Sequence, residues 1–347
     1  MNPLLFFPAL ALLVVRALQR NSLTPAGILA AIVTAGVHGY HPSALPFTLL
    51  ITFYTLGTVA TKVKHDVKSR LTISSTGASS TARNATQVFA NSIVATVLTA
   101  AHIYTGEEVY LIGVVANYAA TTADTLSSEL GILSTSQPIL ITTLRRCPPG
   151  TNGGISLFGL IAGAAGASVI GAVSSLLLRL PLLPLQAESP LTPGGHALAT
   201  SSALGFTLFI TITGTMGSLL DSLLGAIAQE SVVDTRTGKV VEAPGGGRVL
   251  IEPNVKVLSP VGKMHSKLGH APQGAGEAVG VVGDEGKAAK TAKGKKDTAK
   301  AEGMEGKKEK EEGSRKRIGG SGWLTNNGVN FTMALLVSLG AMGWWGF

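Results

Sequence analysis

Eight apolar stretches, each close to the length of a membrane crossing, constrain this chain more than any other feature of it. They cover residues 3 to 18, 24 to 38, 44 to 61, 84 to 104, 108 to 128, 154 to 180, 197 to 228 and 328 to 346. A helix needs about 20 predominantly apolar residues to cross a hydrocarbon core of ~30 Å, and in lipid it satisfies its own backbone. The expected fold is an all-α integral membrane protein of about eight transmembrane helices, with the first two stretches short enough to form one re-entrant unit instead. Only 14% of the residues are charged, too few for an ordinary soluble domain. The single cysteine, Cys147, permits neither an intrachain disulfide nor a cysteine zinc site. Arg16 and Arg20 follow the first apolar stretch rather than precede it, which predicts an uncleaved first span rather than a signal peptide.

The net charge of +8 is concentrated in one place, since 18 of the 28 Lys and Arg residues lie between positions 231 and 322. The remaining chain has 10 basic and 8 acidic residues, so nothing there calls for a nucleic-acid partner. Three units are expected: a membrane domain over 1–230, a charged insertion over 231–322, and the last span over 323–347. The second half of the insertion mixes both charges with almost no large apolar residue, a composition that cannot bury enough surface to fold. The first half is expected to form a short hairpin. Read as a solvated linker, the whole tract should be dispensable for chemistry in the membrane domain.

Charge also orients the chain. The basic groups at Arg16 and Arg20, at Lys62 to Arg83, at Arg145 and Arg146, and after position 230 all fall on one side of an eight-span arrangement. The positive-inside rule makes that side cytoplasmic and puts both termini on the other. Asn84-Ala-Thr and Asn330-Phe-Thr then face the wrong side for glycosylation. An endomembrane is the expected location.

Within this apolar chain, Asp124 and Asp221 stand out, because an ionised Asp at the centre of a membrane helix costs about 2.5 to 3.5 kcal/mol and marks a functional site by default. Asn117, Thr121, Asp124 and Ser128 recur at intervals of 4, 3 and 4, and form one helical stripe. Thr207, Thr211, Gly214, Ser218, Asp221 and Gly225 form a second, and Asn84, Gln87 and Asn91 a third. Glu129 lies about 140° around the helix from Asp124, and joins the site only if the helix breaks or the loop turns back. Asp124-Thr-Leu is echoed by Asp221-Ser-Leu, and Thr151-Asn-Gly-Gly by Thr325-Asn-Asn-Gly, the signature expected of a parallel internal repeat.

Two carboxylates with amide neighbours suit Mg²⁺, a hard ion that keeps bound phosphates as partners. Backbone N–H groups of the turn at Asn152, Gly153 and Gly154 are placed to hold a phosphate, with Asn326 and Asn330 as the repeat's counterpart. Lys62, Lys64, Arg70 and Arg83 supply positive charge. The set describes a site for a phosphorylated ligand at the cytoplasmic membrane face. Four histidines, His38, His41, His102 and His196, map to the opposite side, where scattered interfacial histidines are commoner than a metal centre.

These motifs also carry a resemblance. Gly57-Thr-Val-Ala-Thr-Lys62, Arg83-Asn-Ala-Thr-Gln-Val-Phe-Ala-Asn91, Ala123-Asp-Thr-Leu-Ser-Ser-Glu-Leu-Gly131, Gly150-Thr-Asn-Gly-Gly-Ile-Ser156 and Asp221-Ser-Leu-Leu-Gly-Ala226 resemble the transmembrane protein 19 family (domain of unknown function 92). The family includes the plant phytyl-phosphate kinase of tocopherol synthesis. Leu126 stands where the family's Asp motif has an aromatic residue, and the charged insertion is not a general family feature. The resemblance implies a kinase that transfers a phosphoryl group from a nucleoside triphosphate to an isoprenoid monophosphate dissolved in the membrane lipid. Asp124 and Asp221 would hold Mg²⁺, Lys62 and Arg83 would bind phosphates, and Asn84, Asn91, Asn117 and Asn152 would orient them. A lipid translocator without catalysis is the competing class, and it would place the aspartates near the bilayer midplane.

Overall fold

A computed structural model describes residues 1–75, 82–179, 202–249 and 315–345 of the chain. All of these belong to one compact unit; the second unit, Glu252–Glu312, lies outside the described residues, as does His196.

Nine helices are present among the described residues: α1 Pro3–Gln19, α2 Pro25–Tyr40, α3 Leu45–Lys62, the short α4 His65–Leu71, α5 Ala85–Thr105, α6 Val109–Gly131, α7 Leu157–Arg179, α8 Ala203–Ala228 and α9 Asn326–Trp345. Each of the eight apolar stretches contributes a helix among the described residues, and residues 154 and 155 of the sixth form a strand before its helix begins. By length and composition α5, α7, α8 and α9 are fit to cross a membrane, and α1 and α2 are shorter apolar helices. Starts are set by local chemistry. Thr24 caps α2 through the Gly27 amide ahead of Pro25, Asn84 and Gln87 make a reciprocal capping box on α5, and Ser202 caps α8.

α6 is the axis of the bundle. Every residue from Leu111 to Ala123 is buried, and α3, α5, α7, α8 and α9 all pack on it. Small residues allow this crowding, because lipid gives helices little hydrophobic reason to associate and close van der Waals contact takes over. A side chain at Gly163 would meet the Ala123 carbonyl at 2.9 Å, and one at Gly159 the Ser127 carbonyl at 2.8 Å. A side chain at Gly214 would meet the Ala119 carbonyl at 2.9 Å, and one at Gly217 the Ala120 Cβ at 2.6 Å. The Gly159-to-Gly163 pair is thus a packing seam that holds α7 against α6, Gly214 and Gly217 hold α8 against α6, and Thr211 of the second polar stripe meets Ser168 of α7 at 3.1 Å.

One end of the bundle carries a small sheet that the apolar pattern did not announce. β1 (Thr72–Ser74), β4 (Ser231–Asp234), β5 (Val240–Glu242) and β6 (Arg315–Gly319) pair in the order β1-β5-β4-β6. β4 and β5 are the hairpin expected in the first half of the insertion, β1 joins β5 in parallel, and β6 joins β4 antiparallel. Both ends of the 231–322 tract are therefore built into this cap, which the linker reading of the whole tract did not foresee. A second pairing, β2 (Ile139–Leu140) with β3 (Gly154–Ile155), closes the loop between α6 and α7.

At the opposite end, His41 Nε2 and His102 Nδ1 meet at 2.8 Å, and His38 Nε2 meets the Tyr118 hydroxyl at 2.7 Å. No cluster of three metal-ligating side chains occurs among the described residues, and these histidines are internal polar links between helices.

Candidate functional site

Extending the α6–α8 seam by one turn brings the two aspartates together. Gly217 faces Ala120, both helices run in the same direction, and four residues later the Asp221 and Asp124 carboxyls lie side by side, within hydrogen-bonding reach of each other. Two carboxylates this close require a proton or a cation between them, since like charges in contact disfavour double ionisation. Asn330, on the second turn of α9, lies with one end of its amide 3.3 Å from Asp221 Oδ1 and the other 3.4 Å from Asn91 Oδ1 of α5. The third polar stripe therefore reaches the pair through Asn91.

The aspartates line a polar cavity of about 630 Å³ whose walls include α5, α6, α8, the start of α9 and the sheet. That is within the ~300 to 1,000 Å³ of typical ligand pockets. Arg83 enters from the loop before α5. Its backbone is pinned by hydrogen bonds with Thr24 (2.9 Å) and Ser22 (3.0 Å). Its guanidinium lies over Gly57, where a side chain would come within 3.0 Å of it and 3.4 Å of the Thr125 methyl. Burial pulls the guanidinium below its ordinary value, and Glu129 opposes that.

Glu129 joins the cavity without any break in α6, which continues to Gly131. The short α4 folds back and brings Lys68, which binds Glu129 at 2.8 Å and the Ala60 carbonyl at 2.7 Å, while Thr61 donates to Glu129 at 3.1 Å. Glu129 thus joins by neither expected route, a break in α6 or a turning back of the loop after it: the cavity reaches its position on the intact helix, where Lys68 of α4 meets it. Lys62, nominated from the sequence, is exposed and lies outside the cavity. Lys68 takes the place expected of it, because Lys64 adopts a left-handed conformation (φ 47°) that turns the chain back. No periodicity in the sequence signals such a reversal.

Other nominated residues divide in the same way. Asn152, Gly153 and Gly154 line the cavity, as do Asn326 and Asn330. Gly153 has φ +78°, and a side chain there would strike Ala226 at 2.4 Å, so the turn is pressed against α8 one turn beyond Asp221. The Asn152 side chain is committed to the Glu230 carbonyl at 2.9 Å. The turn leads into β3 rather than directly into a helix, and Ser156 caps α7 instead; Thr325, by contrast, caps α9 directly. Asn84 is a helix cap, and Asn117 is fully buried and donates to the Asn91 carbonyl at 3.0 Å. Neither lines the cavity, and Asn117 positions Asn91 from behind.

The sheet adds residues that the sequence did not nominate: Thr72, Ser74, Glu242 and the Gly245-Gly-Gly-Arg248 loop. Gly245 and Gly246 both have positive φ, at 66° and 73°, and Asn327 holds the Gly245 carbonyl at 2.9 Å. Desolvation raises the Glu242 carboxyl above the usual range, Glu129 across the cavity adds to this, and the Thr72 hydroxyl opposes it. A glycine run next to an arginine was the available sequence signal, hidden by its place in a charged insertion.

The donor set fits a divalent cation of the magnesium type, with two carboxylates in contact and amides around them. The family profile described as integral membrane protein DUF92 matches residues 8–338. The chain is 32% identical to Protein PGR of Arabidopsis thaliana over 268 residues, covering 72% of this chain and 85% of that one. It is 33% identical to Uncharacterized membrane protein MJ0933 of Methanocaldococcus jannaschii over 179 residues, or 52% and 63% of the two chains. It is 27% identical to Protein VTE6, chloroplastic, of Arabidopsis thaliana over 162 residues, or 45% and 48%. No solved structure matches. With its largely helical, multi-pass architecture, the chain belongs to the DUF92 family of integral membrane proteins.

Proposed function

We propose that this protein is a prenyl-phosphate kinase, moving the terminal phosphoryl group of a nucleoside triphosphate onto an isoprenoid monophosphate at the cytoplasmic face of an endomembrane. The observation that carries the reading is the contact between Asp124 and Asp221 in a polar cavity that also holds Arg83 and Lys68. Similarity to Protein VTE6, together with the family resemblance, supplies the substrate class.

The chemistry asks little of the protein beyond position and charge. The second ionisation of a phosphate monoester lies near pH 6, so a prenyl phosphate brings its own anionic nucleophile and needs no general base. One of its oxygens forms the new bond to the terminal phosphorus, the bond from that phosphorus to the bridging oxygen breaks, and the nucleoside diphosphate leaves with the bridging oxygen. Phosphoryl transfer of this kind is catalysed by alignment and electrostatic stabilisation. Arg83 and Lys68 neutralise phosphate oxygens, Glu129 and Thr61 hold Lys68, and Asn91 and Asn330 orient the centre. Mg²⁺, held by Asp124 and Asp221, would offset the charge on the transferring group. The glycine loop before Arg248 offers backbone N–H groups for the nucleotide phosphates.

Depth favours this reading over a translocator. Asp124 and Asp221 each lie seven residues from the end of their helices, or about 10 Å at 1.5 Å per residue, which is off the midpoint and toward the cavity end. The same end carries Lys64, Lys68, Arg145 and Arg146, consistent with eight spans, a cytoplasmic cavity and both termini opposite. Purified protein incubated with Mg²⁺, labelled ATP or CTP and prenyl monophosphates should yield the diphosphate. Absence of product with every donor and acceptor would refute the reading.

A further inference from the structure

A second, apolar space lies beside the polar cavity. It is a slot of about 80 Å³ between α1, α2, α3 and α5, and its walls are mostly apolar: the hydroxyls of Thr34 and Ser92 are paired with each other, Tyr54 is paired with Ser22, and at one end Arg83, Gln87 and Asn91 line both the slot and the polar cavity. The guanidinium of Arg83 therefore sits at a neck between a space suited to hydrocarbon and a space suited to phosphate. We propose that this slot seats the proximal end of the isoprenoid chain, with the phosphate held at Arg83 and the remainder of the chain passing into the bilayer.

The dimensions decide how much of the chain is held. Ile28 and Ala35 of α2 both line the slot, as do Leu10 and Ala17 of α1, and each pair is seven residues apart. Seven residues of helix span about 10 Å. An extended chain covers about 3.5 Å per three bonds, so the slot takes roughly eight main-chain carbons, or two isoprene units. Phe6 and Phe47, edge to face with centroids 5.1 Å apart, pack with Ala35 and with the slot residues Leu10 and Leu50 and close the inner end. Ile32, 36% exposed, marks the side open to lipid. The protein should therefore recognise the first two units and be indifferent to length beyond them.

This inference rests on the kinase reading only for the phosphate headgroup, and a binding experiment separates the two. The probe is geranyl monophosphate with a diazirine at its distal end, irradiated with the full-length protein in phosphatidylcholine nanodiscs. Cross-links are expected in α1, α2 or α3. Farnesyl and geranylgeranyl monophosphates should compete within about threefold of each other, and a five-carbon phosphate at least tenfold more weakly. Ala31→Phe, which fills the slot, and Ile32→Trp at its mouth, where no core contact is lost, should each cut labelling at least tenfold, whereas Lys62→Met, exposed and outside both spaces, should leave it intact. Slot labelling without turnover would leave the slot standing and remove the kinase reading. Labelling on α7 or α8, insensitivity to both slot variants, or equal competition by excess phosphatidylcholine would overturn the slot whatever the turnover.

Discussion

Asp124 on α6 and Asp221 on α8 lie side by side at the end of a seam of alanine and glycine, and the seam sets their register. If they form the metal-holding centre, Asp124→Asn and Asp221→Asn should each lower kcat by at least ~100-fold. Expression and the size-exclusion profile should be unchanged. Retained turnover in both variants would remove the pair from the mechanism.

The two lysines offer a sharper comparison. Lys68 is only 11% exposed and ion-paired inside the cavity, whereas Lys62 is exposed outside it. Lys68→Met should lower kcat/KM by about tenfold or more, and Lys62→Met should stay within about twofold. Equal losses would mean that the phosphate approaches from the Lys62 side.

Gly153 tests the turn against α8. With φ at +78° and Ala226 only 2.4 Å from a would-be Cβ, Gly153→Ala adds both backbone strain and a clash, and should destabilise the protein by about 1 to 3 kcal/mol. Thermal unfolding in detergent would register this as a lower midpoint, and an unchanged midpoint would show that the turn yields freely.

The insertion can be divided. Replacing 250–314 with a flexible glycine–serine linker should retain turnover, because β4, β5, the glycine loop and β6 remain. Deleting 231–322 should abolish it by removing Glu242 and Arg248 from the cavity. Equal activity of the two deletions would argue that the sheet is ornamental.

His41 makes the opposite end of the bundle sensitive to acid. Burial lowers its pKa from 6.5 to about 4, with His102, the Met1 amino group and His38 adding to the shift and the Ser43 carbonyl opposing it. Above about pH 6.5 the ring is neutral in both folded and unfolded chains, and the stability is fully present. As pH falls from 6.5 toward 4 the unfolded chain takes a proton that the folded one refuses, so up to ~3 kcal/mol is lost. Thermal midpoints should drop between pH 7 and pH 5, and His41→Gln should flatten that drop.

The sequence by itself determined the class of molecule, because membrane-length apolar runs and the scarcity of charge leave few alternatives to a helical membrane protein. It also singled out Asp124, Asp221 and Arg83, since polar groups in apolar helices are rare enough to be conspicuous, and helical spacing put Asn117 and Asp124 on one stripe of α6, which in the structure meets α5 at Asn117 and α8 at Asp124. Three things were decided only by tertiary structure. The left-handed turn at Lys64 brought Lys68 rather than Lys62 to Glu129, through a local reversal that leaves no periodic trace. The packing of α6 turned Asn117 into an internal support, because burial on all sides depends on neighbours from five other helices. The sheet drew the ends of the charged insertion over the cavity, because β1 and β5 pair across more than 160 intervening residues, and strand pairing over such distances is set by the assembled fold rather than by nearby residues.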